Sequence, residues 1–197
     1  MNFSIPNKVF ITGTDTEIGK TYVTCKLLAD LTKSHSAEGL KPLVSGGLED
    51  IELIHKASSQ TIKQDERYLL SFAPAVAPHI AAEKTNTVIS DKEIITFMCQ
   101  NFKADYTVIE GFGGWLAPIN LKQTMGELVI ASKIPIILVV GMRLGCINHA
   151  LLTASNIKQN GGELYGWIAN TLGENMPELK ANIKTIASFI GQPLAIY

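Results

Sequence analysis

The sequence is poor in cysteine and has no cluster of positive charge. Its three cysteines, Cys25, Cys99 and Cys146, are odd in number, and none forms a C-x-x-C pair. This argues against a disulfide framework or a zinc site and fits a reducing compartment. Lysine and arginine total 17 against 18 acidic residues and are scattered along the chain. A nucleic-acid-binding surface needs clustered positive charge to displace counterions, so we expect no nucleic-acid partner.

Long apolar runs are also missing. The longest run, from Ile134 to Met142, falls well short of the roughly 20 residues that a membrane-spanning helix needs. The N-terminus, "MNFSIPNKVF", lacks the basic region and the long apolar stretch of a signal peptide. We therefore expect a cytoplasmic protein without membrane contact. A chain of 197 residues, 46% of them hydrophobic, is enough for one domain spanning 1–197.

Short apolar runs alternate with helical patterns along the chain. The runs are nearly continuous and rich in branched residues, which is typical of strands buried on both faces. Their alternation with helices predicts an α/β fold with a mostly parallel sheet flanked by helices on both faces. The predicted strands are 8–13, 39–44, 106–111, 134–141 and 164–170, and the predicted helices are 20–33, 148–162 and 177–191. The stretch 58–100 shows no clear pattern.

The segment "TGTDTEIGKT", residues 12–21, has the form of a phosphate-binding loop. It follows a predicted strand and opens a predicted helix, as the motif requires, although five residues rather than four separate Gly13 from Gly19. Backbone N–H groups of residues 17–20 can turn around a phosphate at the helix N-terminus. Lys20 would supply a cation to the terminal phosphates, and Thr21 a hydroxyl to Mg²⁺. The sequence therefore predicts a P-loop NTPase type of domain.

Three charged residues are candidates to complete this site. Glu110 ends a predicted buried strand at the sheet edge where ligands bind in such folds, so it could hold Mg²⁺. Asp50 opens a helical pattern and could be a second metal ligand or a simple helix-start acid. Lys41 ends an apolar run, where it points either to an anion or to solvent. Ser45 lies just beyond it in a loop with glycines.

Two further strand ends carry polar or small residues. A helix begins after the strand that ends at Gly141, near residues 146–148, and its free N–H groups could bind a carboxylate or could form a plain strand-to-helix connection. Asn170 ends another predicted strand and could contact a base.

Together, the segments "TGTDTEIGKT", "KPLVSG", "EGFGGW", "PIILVVGMRLGCINHALLT" and "GWIAN", in this order, resemble the dethiobiotin synthetase family of biotin biosynthesis. The resemblance covers most of the chain. It implies a homodimeric ligase that uses ATP and Mg²⁺ to close a ureido ring on 7,8-diaminopelargonic acid (7,8-diaminononanoate) with CO2. The first segment alone is shared with other P-loop enzymes, whereas "LGCINHALLT" is more specific.

The resemblance also implies a role for each matching residue. Thr21, Asp50 and Glu110 would bind Mg²⁺. Lys20 would hold the terminal phosphate, and Lys41 would stabilise the carbamate and the transferred phosphoryl group. Thr16 and Ser45 would donate hydrogen bonds to the same centre. The substrate would contact Ser45, Gly111 and, from the partner subunit, Gly145, Cys146, Ile147 and Asn148. The nucleotide would contact Thr14, Asp15, Glu17, Ile18, Gly19, Lys20, Thr21, Tyr22 and Asn170.

Two alternatives share the P-loop. One is a ligase of the cobyric-acid-synthase type. Such ligases need a glutaminase domain or a glutamine site, and this chain has no room for the domain. The other is a switch ATPase of the Min and Par group. That group carries a second lysine early in the loop, where this chain has Asp15.

The sequence also lacks the last segment with which relatives enclose the adenine, which predicts weaker selectivity for ATP over other nucleoside triphosphates.

Overall fold

The computed structural model describes residues 3–173 and 176–197 and has a parallel six-stranded sheet at its centre. The strands are β1 (Lys8–Gly13), β2 (Ala37–Leu40), β5 (Tyr106–Glu110), β6 (Ile136–Gly141), β7 (Leu164–Asn170) and β8 (Ala195–Ile196). They lie in the order β2-β5-β1-β6-β7-β8, and every pairing is parallel. A second sheet pairs β3 (Leu43–Ser45) with β4 (Leu70–Phe72).

Helices cover both faces of the large sheet. They are α1 (Lys20–Leu31), α2 (Glu49–Ala57), α3 (Pro78–Lys84), α4 (Asp91–Cys99), α5 (Met125–Ala131), α6 (Cys146–Gln159) and α7 (Leu179–Ile190). Side chains alternate along β1, so Val9 and Ile11 pack in one core with α1 and α2, while Phe10 packs in another with α3, α4 and α5. The predicted fold class is confirmed. Among the described residues, no helix is long and apolar enough to span a membrane.

The predicted strand 39–44 is wrong as a single element. The chain leaves the large sheet after Leu40, and β3 begins at Leu43 in the small sheet. Pro42 has no N–H to continue a ladder. The Lys41 N–H instead donates to the Arg67 carbonyl at 2.8 Å, and the Pro42 carbonyl accepts from the N–H groups of Leu69 and Leu70. The break places Lys41 at the carboxyl edge of the large sheet.

Several predicted boundaries also move. Helix α6 begins at Cys146, within the expected start near 146–148 but two residues before the helical pattern 148–162. Gly145 adopts a left-handed conformation (φ 94°) that turns the chain into the helix. Helix α7 begins at Leu179, so Pro177 precedes the helix instead of lying in its first turn. Within 58–100, where the sequence showed no pattern, the chain forms β4, α3, α4 and a short 3-10 turn at Asp65–Arg67.

Candidate active site

The loop between β1 and α1 packs on the ends of the neighbouring strands. Ile18 is buried where β1 and β6 end, and a Cβ added to Gly13 or Gly141 would lie 2.8 Å from its side chain. The Asn170 amide, at the end of β7, donates to the Ile18 carbonyl at 2.8 Å. These contacts fix the loop before any ligand arrives.

Glycine is required at the last loop position. Gly19 has φ 78°, and a Cβ there would approach the Asn170 amide nitrogen to 2.2 Å. Glu17 also has a positive φ, of 54°. The loop therefore turns sharply into the N-terminus of α1, where unpaired amides and the helix dipole favour an anion. The Thr14 N–H donates to the Val139 carbonyl at 3.1 Å, so this amide is not available to a phosphate.

Lys20 is the first residue of α1 and lies over the loop. It is 7% exposed, and its ammonium donates to the Asp15 carbonyl at 2.9 Å. Burial lowers the pKa of Lys20 to about 8, although the charge of Glu110 opposes the shift. A phosphate bound in the loop would favour the charged ammonium and raise this pKa again.

Glu110 is the centre of a cluster of charged side chains. It is fully buried at the end of β5, and its Oε1 accepts from the Thr21 hydroxyl and from the Lys41 ammonium, each at 2.8 Å. Asp50, in the first turn of α2, forms an ion pair with the same ammonium. Burial favours the neutral amine of Lys41, but the charges of Glu110 and Asp50 outweigh it and raise the Lys41 pKa.

The oxygen atoms of this cluster suit Mg²⁺. The structure brings together the Thr21 hydroxyl and the carboxylates of Asp50 and Glu110, and Glu110 Oε2 is buried without a hydrogen-bond partner. Mg²⁺ prefers one or two carboxylates together with phosphate oxygens and water. Within the described chain, no group of three His, Cys, Asp or Glu side chains could hold a metal alone. A Mg²⁺ ion held by these groups would need further ligands, such as phosphate oxygens and water. In the structure, Lys41 pairs with both carboxylates.

A cavity of about 760 Å³ opens over this cluster. Ser45 Oγ is buried there without a hydrogen-bond partner, as expected of a group that receives a ligand. Gly111 does not line the cavity. Its N–H donates to Ile11, and a Cβ on it would meet the Phe10 ring at 2.7 Å. The lining residues are Thr16, Glu17, Gly19, Lys20, Thr21, Lys41, Ser45, Asp50, Ala75, Val76, Ala77, Pro78, Glu110, Phe112, Gly113, Ala117 and Pro118.

A second cavity, of about 680 Å³, adjoins the other side of the loop and shares Glu17 and Gly19 with the first. Tyr22 and Tyr197 form part of its wall, with their ring centroids 6.3 Å apart in an edge-to-face arrangement. Asn170 lines it as well. This cavity can accept a flat, partly apolar group that continues from a phosphate in the loop.

Some residues that form the two cavities were missed from sequence. Arg143 lines the second cavity and pairs with Asp15 at 2.5 Å, and Tyr197, the residue after β8, lines it as well. Tyr197 belongs to no motif, and Arg143 lies inside the segment "PIILVVGMRLGCINHALLT" but was given no role there. The segment 75–78 walls the first cavity but lies in the stretch that had no readable pattern.

The predicted carboxylate-binding segment lies elsewhere. Gly145, Cys146, Ile147 and Asn148 form the start of α6 and line neither of these two cavities. Cys146 is buried and burial raises the pKa of its thiol, so it is unsuited to act as a nucleophile. Within one chain this segment does not join the Lys41 cluster, and its role stays a prediction.

The fold and the loop define a P-loop NTPase. A ParA family ATPase from Chlorobium tepidum superposes with a TM-score of 0.58 at 14% identity, covering 97% of this chain and 84% of that one. The septum site-determining protein MinD of Pyrococcus horikoshii, solved with Mg-ADP, superposes with a TM-score of 0.55 at 17% identity, covering 96% and 80%. At such low identity these likenesses show the fold alone.

Sequence similarity identifies the family within this class. A family model described as an AAA domain matches residues 7–195. The ATP-dependent dethiobiotin synthetase of Cellvibrio japonicus is 40% identical over 93% of this chain and 85% of its own length. The enzyme of the same name from Pseudoalteromonas translucida is 43% identical over 90% and 83%. The chain belongs to the ATP-dependent dethiobiotin synthetase family.

Proposed function

We propose that the protein converts 7,8-diaminopelargonic acid, CO2 and ATP to dethiobiotin, ADP and phosphate in biotin biosynthesis, as a single P-loop ligase domain over residues 1–197. The observation that carries this proposal is the cluster of Lys20, Thr21, Lys41, Asp50 and Glu110 over the P-loop. In this cluster, the phosphate-binding loop and Lys41, which pairs with Asp50 and Glu110, line the same cavity. Family membership supplies the substrate.

The reaction needs positioning and charge neutralisation more than covalent catalysis. One amine of the substrate adds to CO2 and loses a proton to give a carbamate. A carbamate oxygen then attacks the γ-phosphorus of ATP, and ADP leaves. The second amine attacks the carbonyl carbon of this mixed anhydride, the ureido ring closes and phosphate leaves.

The chain offers a group for each developing charge. Lys20 would bind the terminal phosphates from the loop side, and Lys41 would contact the carbamate and the transferred phosphoryl group from the opposite side. The hydroxyls of Thr16 and Ser45 line the same cavity and would donate hydrogen bonds to these oxygens. Thr21, Asp50 and Glu110 would hold Mg²⁺, which neutralises phosphate charge when bound.

The nucleotide base would occupy the second cavity, beside Tyr22 and Asn170. The aliphatic tail of the diamine would extend away from Lys41 and end in a carboxylate. In the proposed homodimer, that carboxylate would bind at residues 145–148 of the second copy. The proposal is thus a site that is complete only in the dimer, in a cytoplasmic enzyme with three small-molecule substrates.

The direct test is a reconstituted reaction. Purified protein is incubated with ATP, Mg²⁺ and bicarbonate, with and without the diamine, and phosphate release is measured together with the product mass. We expect phosphate and dethiobiotin to form in equal amounts, and only when the diamine is present. Equal ATP hydrolysis without the diamine would indicate a switch ATPase instead.

A further inference from the structure

Arg67 is a fully buried arginine whose contacts the proposed reaction does not explain. Its Nη2 forms an ion pair with the equally buried Glu38 at 2.7 Å and donates to the Ile62 carbonyl at 3.2 Å. Nη1 donates to the Gly39 carbonyl and to Ser58 Oγ, at 2.9 and 3.2 Å. Nε donates to His55 Nδ1 at 3.0 Å. One guanidinium thus joins β2, the end of α2 and the loop that follows it.

The main chain of Arg67 also holds the peptide of Lys41. The Arg67 carbonyl accepts from the Lys41 N–H at 2.8 Å, at the point where the chain leaves the large sheet. The sheet no longer fixes Lys41 there, because β2 ends at Leu40. The Arg67 carbonyl therefore holds the Lys41 peptide at the point from which the Lys41 side chain extends to Glu110.

The same guanidinium fixes the helix that carries Asp50. His55 and Ser58 lie at the C-terminal end of α2, while Asp50 lies in its first turn. The helix is already close to β2, since a Cβ on Gly39 would lie 2.3 Å from Ile54. Arg67 links the two elements, because its guanidinium bonds both Gly39 on β2 and His55 on α2. The positions of Lys41, which follows β2, and of Asp50, on α2, therefore both depend on Arg67.

We infer that Arg67 is a positioning residue that holds Lys41 and Asp50 in register with Glu110. This inference rests on the proposed function, because Lys41 and Asp50 have their roles there. A buried ion pair usually contributes little net stability compared with apolar residues of similar volume. Here the pair links β2, which leads to Lys41, with α2, which carries Asp50, and this link would position both groups.

The test is a double variant that removes both charges without leaving a buried charge unpaired. In Glu38→Gln/Arg67→Met, the glutamine oxygen can still accept from the N–H and hydroxyl of Thr61, which bond Glu38 now. The matched control is Trp167→Phe, which changes a buried side chain and removes its partly buried hydrogen bond to the Gly191 carbonyl, on the other face of the sheet.

We expect kcat of the double variant to fall at least about tenfold, because small displacements of reacting groups are costly. Its Kd for ADP without Mg²⁺ should stay within about twofold, because the loop itself is untouched. The control should keep its kcat. An unchanged kcat in the folded double variant, or an equal loss in the control, would overturn the inference.

A milder pair of variants covers the case in which the double variant does not fold. His55→Leu removes the acceptor of Arg67 Nε, whereas His55→Asn offers an oxygen near the same place. We expect the leucine variant to lose kcat and the asparagine variant to keep most of it, and equal kcat in the two would reject the positioning role.

Failure of the proposed function is seen separately, as wild-type protein that makes no product. In that case the increase in ADP affinity on adding Mg²⁺ still reports the position of Asp50. It should be smaller in the Arg67 or His55→Leu variants than in wild type, and an identical increase would contradict the inference.

Discussion

The low pKa of Lys20 makes nucleotide affinity depend on pH in a specific direction. In the free protein, burial sets this pKa at about 8. The protonated fraction of Lys20 should then fall from about 0.9 at pH 7 to about 0.1 at pH 9. A bound phosphate favours the ammonium and raises its pKa, so binding above pH 8 must also take up a proton. The contribution of Lys20 to ADP affinity should therefore be fully present below pH 8 and decline as the pH rises above it.

The size of the effect follows from these fractions. If the pKa in the complex lies well above 9, Kd for ADP should rise about tenfold between pH 7 and pH 9. Isothermal titration calorimetry without Mg²⁺ measures this Kd. Comparing the binding enthalpy in buffers of different ionisation enthalpy gives the number of protons taken up. Lys20→Met keeps much of the apolar stem and removes the charge, so its Kd should be weaker but nearly constant over this range. A wild-type Kd that stays level, or that improves toward pH 9, would refute the assignment of Lys20 to the phosphates.

Three substitutions test the roles of individual residues in the reaction. Lys20→Ala should lower turnover by about 10³ or more, on the order of 4 kcal/mol, because it removes a charge contact to the transferred group; near-wild-type turnover would show that Lys20 does not touch phosphate. Glu110→Gln should raise the Mg²⁺ concentration needed for half-maximal rate at least about tenfold, and an unchanged Mg²⁺ titration would remove Glu110 from the metal site. Asn148→Ala should weaken diamine binding and leave nucleotide affinity alone, and calorimetry that shows the reverse would reject the carboxylate assignment.

Four of the strands of the large sheet, β1, β5, β6 and β7, were readable from sequence because they are largely buried on both faces, whereas β8 was not predicted. β1, β6 and β7 appear as branched apolar runs that end in Gly13, Gly141 and Asn170. The phosphate loop was readable for a related reason, since its requirements are local and are met within residues 12–21. Glu110 followed from its place at the end of a buried strand, and the structure puts it beside Thr21.

The break after Leu40 could not be read in the same way. Residues 39–44 look like one apolar run, and the partner that ends it is the carbonyl of Arg67, far along the chain. Charged residues inside a core give no periodic signal in the sequence, so the Arg67–Glu38 ion pair could not be predicted from it. The second cavity was predicted only in part. Tyr22 and Asn170 were expected to contact the nucleotide, whereas Arg143 and Tyr197 come to line the same cavity only in the folded chain. The role of residues 145–148 depends on a second copy and stays a prediction.

The most direct test of the proposed reaction is the fate of labelled phosphate and carbon in one assay. With γ-labelled ATP, labelled bicarbonate, Mg²⁺ and the diamine, the protein should release one phosphate for each labelled carbon found in dethiobiotin. Phosphate released without incorporation of carbon, or equally fast in the absence of the diamine, would contradict transfer of the γ-phosphoryl group to a carbamate.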